Sequence, residues 1–279
     1  SNVFYRDTKN EVLFINKILD MKYYYDSNEL KNVVSSKNEI FNFPYEIKLY
    51  KNKNEKKILS KLNLKLLKMQ IENEFNYSDE VKTGKAHLII NKTKSTTTYK
   101  IDKKLFEFNL FDKLENPKYF YRGAFNINPF YSSIEGKTKK INPSYLFDIN
   151  SIIAQLLKTQ IFNSRNIDFL LSVEAESFFN QLDFVNISFN SKIKEGLVDI
   201  DDTTFDWKSF ANFNLSDSLI FVQNGELILD GKILINIKNY DEIYKYLLTP
   251  KNYRKEIKKV ELNFSYNFDQ RSTLLNDIK

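Results

Sequence analysis

Lys258-Lys259-Val260-Glu261-Leu262-Asn263-Phe264-Ser265-Tyr266-Asn267-Phe268-Asp269 decides the fold class. Successive Cβ atoms of an extended chain point to opposite faces, so Val260, Leu262, Phe264, Tyr266 and Phe268 share one side. Lys259, Glu261, Asn263, Ser265 and Asn267 share the other. The same alternation recurs at Tyr45, Ile47, Leu49; at Leu62, Leu64, Leu66; at Ala86, Leu88, Ile90; and at Phe106, Phe108, Leu110. Downstream it returns at Ile167, Phe169, Leu171, Val173; at Val185, Ile187, Phe189; and at Leu227, Leu229, Ile233, Ile235, Ile237. Turn signals separate the runs at Asn52-Lys53-Asn54, Thr83-Gly84, Asn116-Pro117, Glu195-Gly196, Asn224-Gly225 and Asp230-Gly231, which predicts antiparallel meanders. Asn224-Gly225 suits a type I′ hairpin because both residues tolerate positive φ. Asp230-Gly231 interrupts a continuing alternation and predicts a bulge or bend.

The 279 residues are 42% apolar, with 24 Phe and 17 Tyr against 6 Gly and 5 Pro, a composition suited to an ordered chain rich in strands. Two segments read as short amphipathic helices. Asp148 or Asn150 can cap one bearing Ile152, Ile153, Leu156 and Leu157, and Asn239 or Asp241 can cap one bearing Ile243, Tyr244, Leu247 and Leu248 before Pro250. Residues 11–34 read as mixed structure, and residues 1–36 are set apart as an N-terminal segment from a continuous β-rich region at 37–279. No apolar run approaches the roughly 20 residues of a membrane span, and no signal peptide opens the chain. A start at Ser1 without Met and an end at Lys279 suggest a soluble piece of a longer protein, its anchor outside this stretch.

No catalytic constellation emerges. His87 is the single histidine and cysteine is absent, which removes Ser-His, Cys-His and multi-histidine metal arrangements. His87 lies out of phase with Ala86, Leu88 and Ile90, as expected of a strand's wet face. Asp199-Ile200-Asp201-Asp202 lacks the glycine and terminal glutamate of a calcium loop and reads as an acidic turn. The six glycines form no phosphate-binding fingerprint. A net charge of +6 rests mostly on Lys, with Arg only five times, which suits a solvated surface better than nucleic-acid recognition. The basic clusters Lys51 to Lys57 and Lys251 to Lys259 read as charged strand edges. The expectation is a non-enzyme that holds no metal or cofactor and binds no nucleic acid.

Gly196-Leu197-Val198-Asp199-Ile200-Asp201, Phe205-Asp206-Trp207, Ser218-Leu219-Ile220-Phe221-Val222 and Glu226-Leu227-Ile228-Leu229-Asp230-Gly231-Lys232 together resemble the C-terminal region of AsmA-like bacterial envelope proteins. The following short helix through Tyr240 to Leu248, Pro250-Lys251-Asn252-Tyr253-Arg254 and the strand ending Phe264-Ser265-Tyr266-Asn267-Phe268 agree in order. Gly123-Ala124-Phe125-Asn126-Ile127-Asn128-Pro129-Phe130 is similar too, so the likeness spans roughly residues 37 to 269. The resemblance implies an elongated, curled antiparallel sheet, a β-groove with an apolar interior. It also implies a periplasmic location, an inner-membrane anchor on the full-length protein, and a part in phospholipid transport or outer-membrane biogenesis.

A groove of this kind would line itself with Leu227, Leu229, Ile233, Ile235, Ile237, Val260, Leu262, Phe264 and Tyr266, with Val185, Ile187 and Phe189, and with Leu62, Leu64 and Leu66. Its partner would be a phospholipid or another acyl-chain lipid, with other envelope proteins as further partners. Alternation leaves a second architecture open, a closed β-domain whose same side chains fill a core and which serves as a structural scaffold binding protein partners.

Overall fold

The computed structural model describes residues 1–6, 10, 12–40, 42–52, 56–76, 81–90, 93–113, 115, 117–127, 130–142, 152–159, 162 and 168–279. Lys53-Asn54, Asn116, Asn128-Pro129, the caps Asp148 and Asn150, and Ile167 lie outside the described residues. The chain is mainly β, with nineteen strands and two short α-helices among the described residues. It divides into two compact units, Ser1–Ile134 with Thr159–Phe169, and Glu135–Lys158 with Leu170–Lys279.

Unit 1 holds β1 (Asn2–Arg6), β2 (Val12–Asp26), β3 (Lys31–Ile40), β4 (Phe43–Asn52), β5 (Lys57–Leu64), β6 (Met69–Asn76), β7 (Lys82–Ile90), β8 (Thr93–Asp102), β9 (Leu105–Phe111) and β10 (Tyr119–Ile127). Each pairs antiparallel with the next. The segment read as mixed at 11–34 is therefore strand over Val12–Asp26 and from Lys31 on, with a turn at 27–30 between. Its alternation is hidden because Leu19 to Tyr25 are exposed on both faces, and the register shifts between Ile18 and Asp20. The boundary read at residue 36 falls inside β3.

Register turns the one-sided strands into one two-faced sheet, since directly paired residues share a face. Ile47 stands opposite Leu62, Leu62 opposite Ile71, and Ile71 opposite Leu88, an apolar row across four strands. On the reverse face Lys61 stands opposite Glu72 and Glu72 opposite His87. Lys61–Glu72 (3.1 Å), Lys57–Glu74 (2.6 Å) and Lys65–Glu46 (2.8 Å) are ion pairs there. Exposed pairs of this kind contribute at most about 1 kcal/mol each, so their effect is mainly to keep that face wet.

In unit 2, β11 (Phe130–Ile141) and β12 (Asp168–Phe178), which both straddle the division, precede β13 (Gln181–Lys194). β14 (Leu197–Asp199), β15 (Thr204–Trp207), β16 (Ala211–Gln223), β17 (Glu226–Ile237), β18 (Lys259–Asn267) and β19 (Ser272–Ile278) follow. β13 pairs with both short strands β14 and β15, and both pair with β16; from there each strand pairs with its successor. Asn224 (φ 53°) and Gly225 (φ 82°) form the hairpin between β16 and β17 as the sequence predicts. At Asp230-Gly231 the strand continues, and the irregularity sits across from it: β16 bulges between Ser216 and Leu219, with Asp217 at φ 48°.

Helix α1 (Ile152–Lys158) and helix α2 (Tyr240–Tyr246) belong to unit 2. Ala154 and Leu157 of α1 are buried, and the helix lies against β16. Asn239 caps α2, its side chain accepting from the Glu242 N–H at 3.1 Å.

Candidate functional site

The apolar face of unit 1 keeps its aromatic rings flat on the sheet by placing glycine beneath them. A Cβ at Gly84 would collide with the Tyr99 ring on the neighbouring strand, and one at Gly123 would collide with Phe108. Tyr99 thus crosses Gly84 and donates its hydroxyl to Asn73 Oδ1 (2.7 Å), while Asn73 Nδ2 donates to Ser60 Oγ (3.3 Å). Tyr45 donates to Asn16 (3.1 Å), and Ser95 shares a hydrogen bond with Tyr119 (2.6 Å). These polar atoms bond one another, and the rings that carry them turn carbon surface towards solvent. Tyr99 stacks on Phe106 (5.3 Å between centroids) and Phe108 on Phe125 (5.4 Å). Burial pushes the hydroxyl pKa of Tyr45, Tyr99 and Tyr121 up, so these phenols stay neutral donors.

This face has no packed second layer among the described residues. Ile47, Leu62, Ile71, Leu88, Phe106, Phe108 and Phe125 all remain partly exposed. Buried apolar side chains in the unit are confined, among the described residues, to Val33, Phe43, Leu67, Ala86 and Phe111. A sheet packed face to face about 10 Å from another would bury its whole inner row.

Of the predicted lining residues in this unit, Leu62 and Leu64 lie on the apolar face, Leu64 opposite Met69. Leu66 does not: the strand ends at Leu64, and Leu66 points outward from a short 3₁₀ turn at Lys65–Leu67, where Leu67 is buried instead. On the reverse face a shallow depression of about 590 Å³ is bordered by Lys57, Lys61, Glu72, Glu74, Lys85 and His87. Its four charges on β5 and β6 are paired with one another, Leu59 also borders it, and burial together with Lys94 and Lys85 lowers the His87 pKa.

Unit 2 gathers the other predicted lining residues. Ile220, Leu229 and Tyr266 form one cross-strand row, Leu215, Ile233 and Leu262 a second, Phe213, Ile235 and Val260 a third. Leu227, Ile237 and Phe264 share that face. Ile187 and Phe189 join it through β13, whereas Val185 stands on the opposite face. Between Val185 and Ser188 the strand carries one extra residue, with Asn186 at φ 53°, and this bulge reverses the alternation.

The two ends of the face differ. At one, α1 covers it: Lys158 Nζ pairs with Asp269 Oδ1 (2.6 Å), the Leu227 N–H donates to Asp269 Oδ2 (2.8 Å), and Leu227 is 1% exposed. Ile193, Val198, Ile200, Ile220 and Phe268 are buried around it. At the other end Phe184, Phe205, Trp207 and Phe213 form an aromatic lining that stays half-buried. Phe205 stacks on Phe213 (4.8 Å) and Phe184 on Trp207 (6.4 Å), and Tyr246 of α2 meets Trp207 edge-on (5.4 Å). These four aromatic residues were not among the expected lining. β15 is only four residues long, too short for alternation to register, although Phe205 and Trp207 do sit two apart.

The acidic turn is structural. Asp199 accepts from the Asp201 N–H (2.8 Å) and Asp201 from the Ser218 N–H (2.7 Å). Among the described residues no group of acidic or histidine side chains is placed to hold a metal ion, and no helix is long and apolar enough to cross a membrane. No family model, no curated protein and no solved structure matches the chain.

Proposed function

We propose that the two apolar faces bind the acyl chains of phospholipid, and that the chain is a non-enzymatic lipid-binding or lipid-transfer module of the bacterial envelope, of AsmA-like kind. The half-exposed apolar face of unit 1 carries this reading. A row of Ile, Leu and Phe with no second protein layer among the described residues leaves room for an apolar occupant that replaces water. Each methylene so buried is worth about 0.8 kcal/mol, so even one partly buried acyl chain provides useful affinity. The resemblance to AsmA-like proteins adds a setting: the periplasm, an inner-membrane anchor on a longer protein, and outer-membrane biogenesis.

Native mass spectrometry of protein purified from bacterial membranes should show bound phospholipid. Leu62→Asp with Ile71→Asp should abolish it while the far-ultraviolet dichroism of the sheet persists. Protein that carries no lipid, and takes up no fatty acid from detergent micelles, would sink the reading.

A further inference from the structure

Unit 2 presents an end at which apolar and basic side chains are exposed together. The connection from Tyr240 to Lys258 holds Leu248 at 87% and Tyr253 at 70% exposure, beside the exposed Leu247 and Ile257. Phe179 and Leu182, at the turn into β13, are exposed as well. That turn stands at the same end, because Phe184 pairs with Trp207 and the Tyr246 hydroxyl reaches Asp183 (3.3 Å).

The connection is well tied. Arg254 Nε donates to the Thr249 carbonyl (2.9 Å), the Tyr244 hydroxyl donates to the Lys255 carbonyl (2.8 Å), and the Leu248 N–H donates to the Lys245 carbonyl (3.1 Å). Leu248 adopts φ 54°, a left-handed conformation that costs a Cβ-bearing residue about 1 kcal/mol. The fold thus spends conformational energy while holding a leucine in water.

Charge completes the pattern. Lys245, Lys251, Arg254, Lys255 and Lys258 stand against Asp241, Glu242 and Glu256. Lys245 pairs with Glu242 (2.7 Å) and Lys258 with Glu256 (3.5 Å), which leaves three cations of this connection facing one acid, Asp241.

We propose that this end of unit 2 docks on the surface of an anionic lipid bilayer, Leu247, Leu248 and Tyr253 entering the headgroup layer, so that acyl chains reach the apolar face beside Trp207. The proposal rests on the lipid-binding reading above and adds where lipid enters. Apolar side chains inserted at the interface and basic ones above it reinforce each other, each cation being worth about 1 kcal/mol near an anionic surface. The face is open and aromatic at this end and covered by α1 at the other, which gives entry a direction.

The test is sedimentation of the whole chain with vesicles of phosphatidylcholine alone or with about 30 mol% phosphatidylglycerol, the anionic lipid supplying the surface charge. Fatty-acid uptake from detergent micelles is read on the same samples. Wild type should bind the anionic vesicles in a salt-sensitive manner. Leu248→Asp with Tyr253→Asp, and separately Lys251→Glu with Lys255→Glu, should each weaken that binding by about tenfold or more, one decade per 1.4 kcal/mol. Micellar uptake should stay unchanged, because these side chains lie outside the apolar face. Variants that bind anionic vesicles as wild type does, or a wild type that takes up fatty acid yet ignores vesicles, overturn the docking proposal alone. Vesicle binding without any uptake supports docking and overturns the lipid-binding reading instead.

Discussion

Asp269 shows how a single side chain fixes two elements. Burial opposes its charge, yet the hydrogen bonds from Lys158 Nζ and the Leu227 N–H hold the carboxyl below the usual carboxylate range. A lowered folded-state pKa means that the stabilisation is complete above the ordinary carboxylate pKa and fades as pH falls through the lowered value. Asp269→Asn should therefore cost about 2 kcal/mol at neutral pH, the worth of a charge-assisted hydrogen bond left unmade. The deficit should shrink in acid, where wild type has lost the same charge. Urea unfolding at two pH values measures it, and an equal deficit at both would show that the charge plays no part.

At the scale of elements, the bulge at Asn186 sets which half of β13 faces inward. Deleting Asn186 takes out the extra residue, so Val185 should stay opposite Asp206 and Phe184 opposite Trp207, in a strand without the bulge. Trp207 is the chain's one tryptophan, so its emission should stay that of a half-buried indole. A register that slipped instead, turning Phe184 away from Phe205, Trp207 and Phe213, would lose one packed aromatic side chain, worth about 3 kcal/mol. Emission moving towards that of a water-exposed indole, along with a fall in stability of that size, would show the slip and overturn the expectation.

This bulge also marks where the sequence stopped being readable. Val260 to Phe268 was legible because apolar and polar residues alternate strictly there, and Asn224-Gly225 because its chemistry admits one turn. Val185 was not, since nothing in Val185-Asn186-Ile187 announces an extra residue. Nor was the end of β5 at Leu64, where three alternating leucines continue past the strand into a 3₁₀ turn. Asn73, Ser60 and Asn16 sit on the apolar face because partners on neighbouring strands satisfy them, a tertiary fact that a one-dimensional pattern cannot carry. Tyr23, Tyr24 and Tyr25 obscured β2 for the opposite reason, being exposed whichever way they point.

For the whole molecule, the partly wet apolar face of unit 1 has a calorimetric signature. The heat-capacity change of unfolding follows the apolar area newly exposed, ordinarily about 12–15 cal/mol/K per residue. Delipidated protein should fall below that range by scanning calorimetry, since Ile47, Leu62, Ile71 and Leu88 are already in contact with water. Acyl chains on the face should raise both the heat-capacity change and the melting temperature, the latter by mass action. A delipidated protein with the ordinary value would indicate that the face is closed in solution.

The sequential pairing of β1 through β10 also bears on how the chain reaches its native state. Each strand finds its neighbour directly behind it in the chain, so the pairings are local, and low contact order favours fast folding. The sheet can lengthen one hairpin at a time as residues emerge from a ribosome or a translocation pore, without waiting for the C-terminus. Until β10 docks, the newest strand remains an unpaired edge, and it is at that moving edge that a chaperone would be needed.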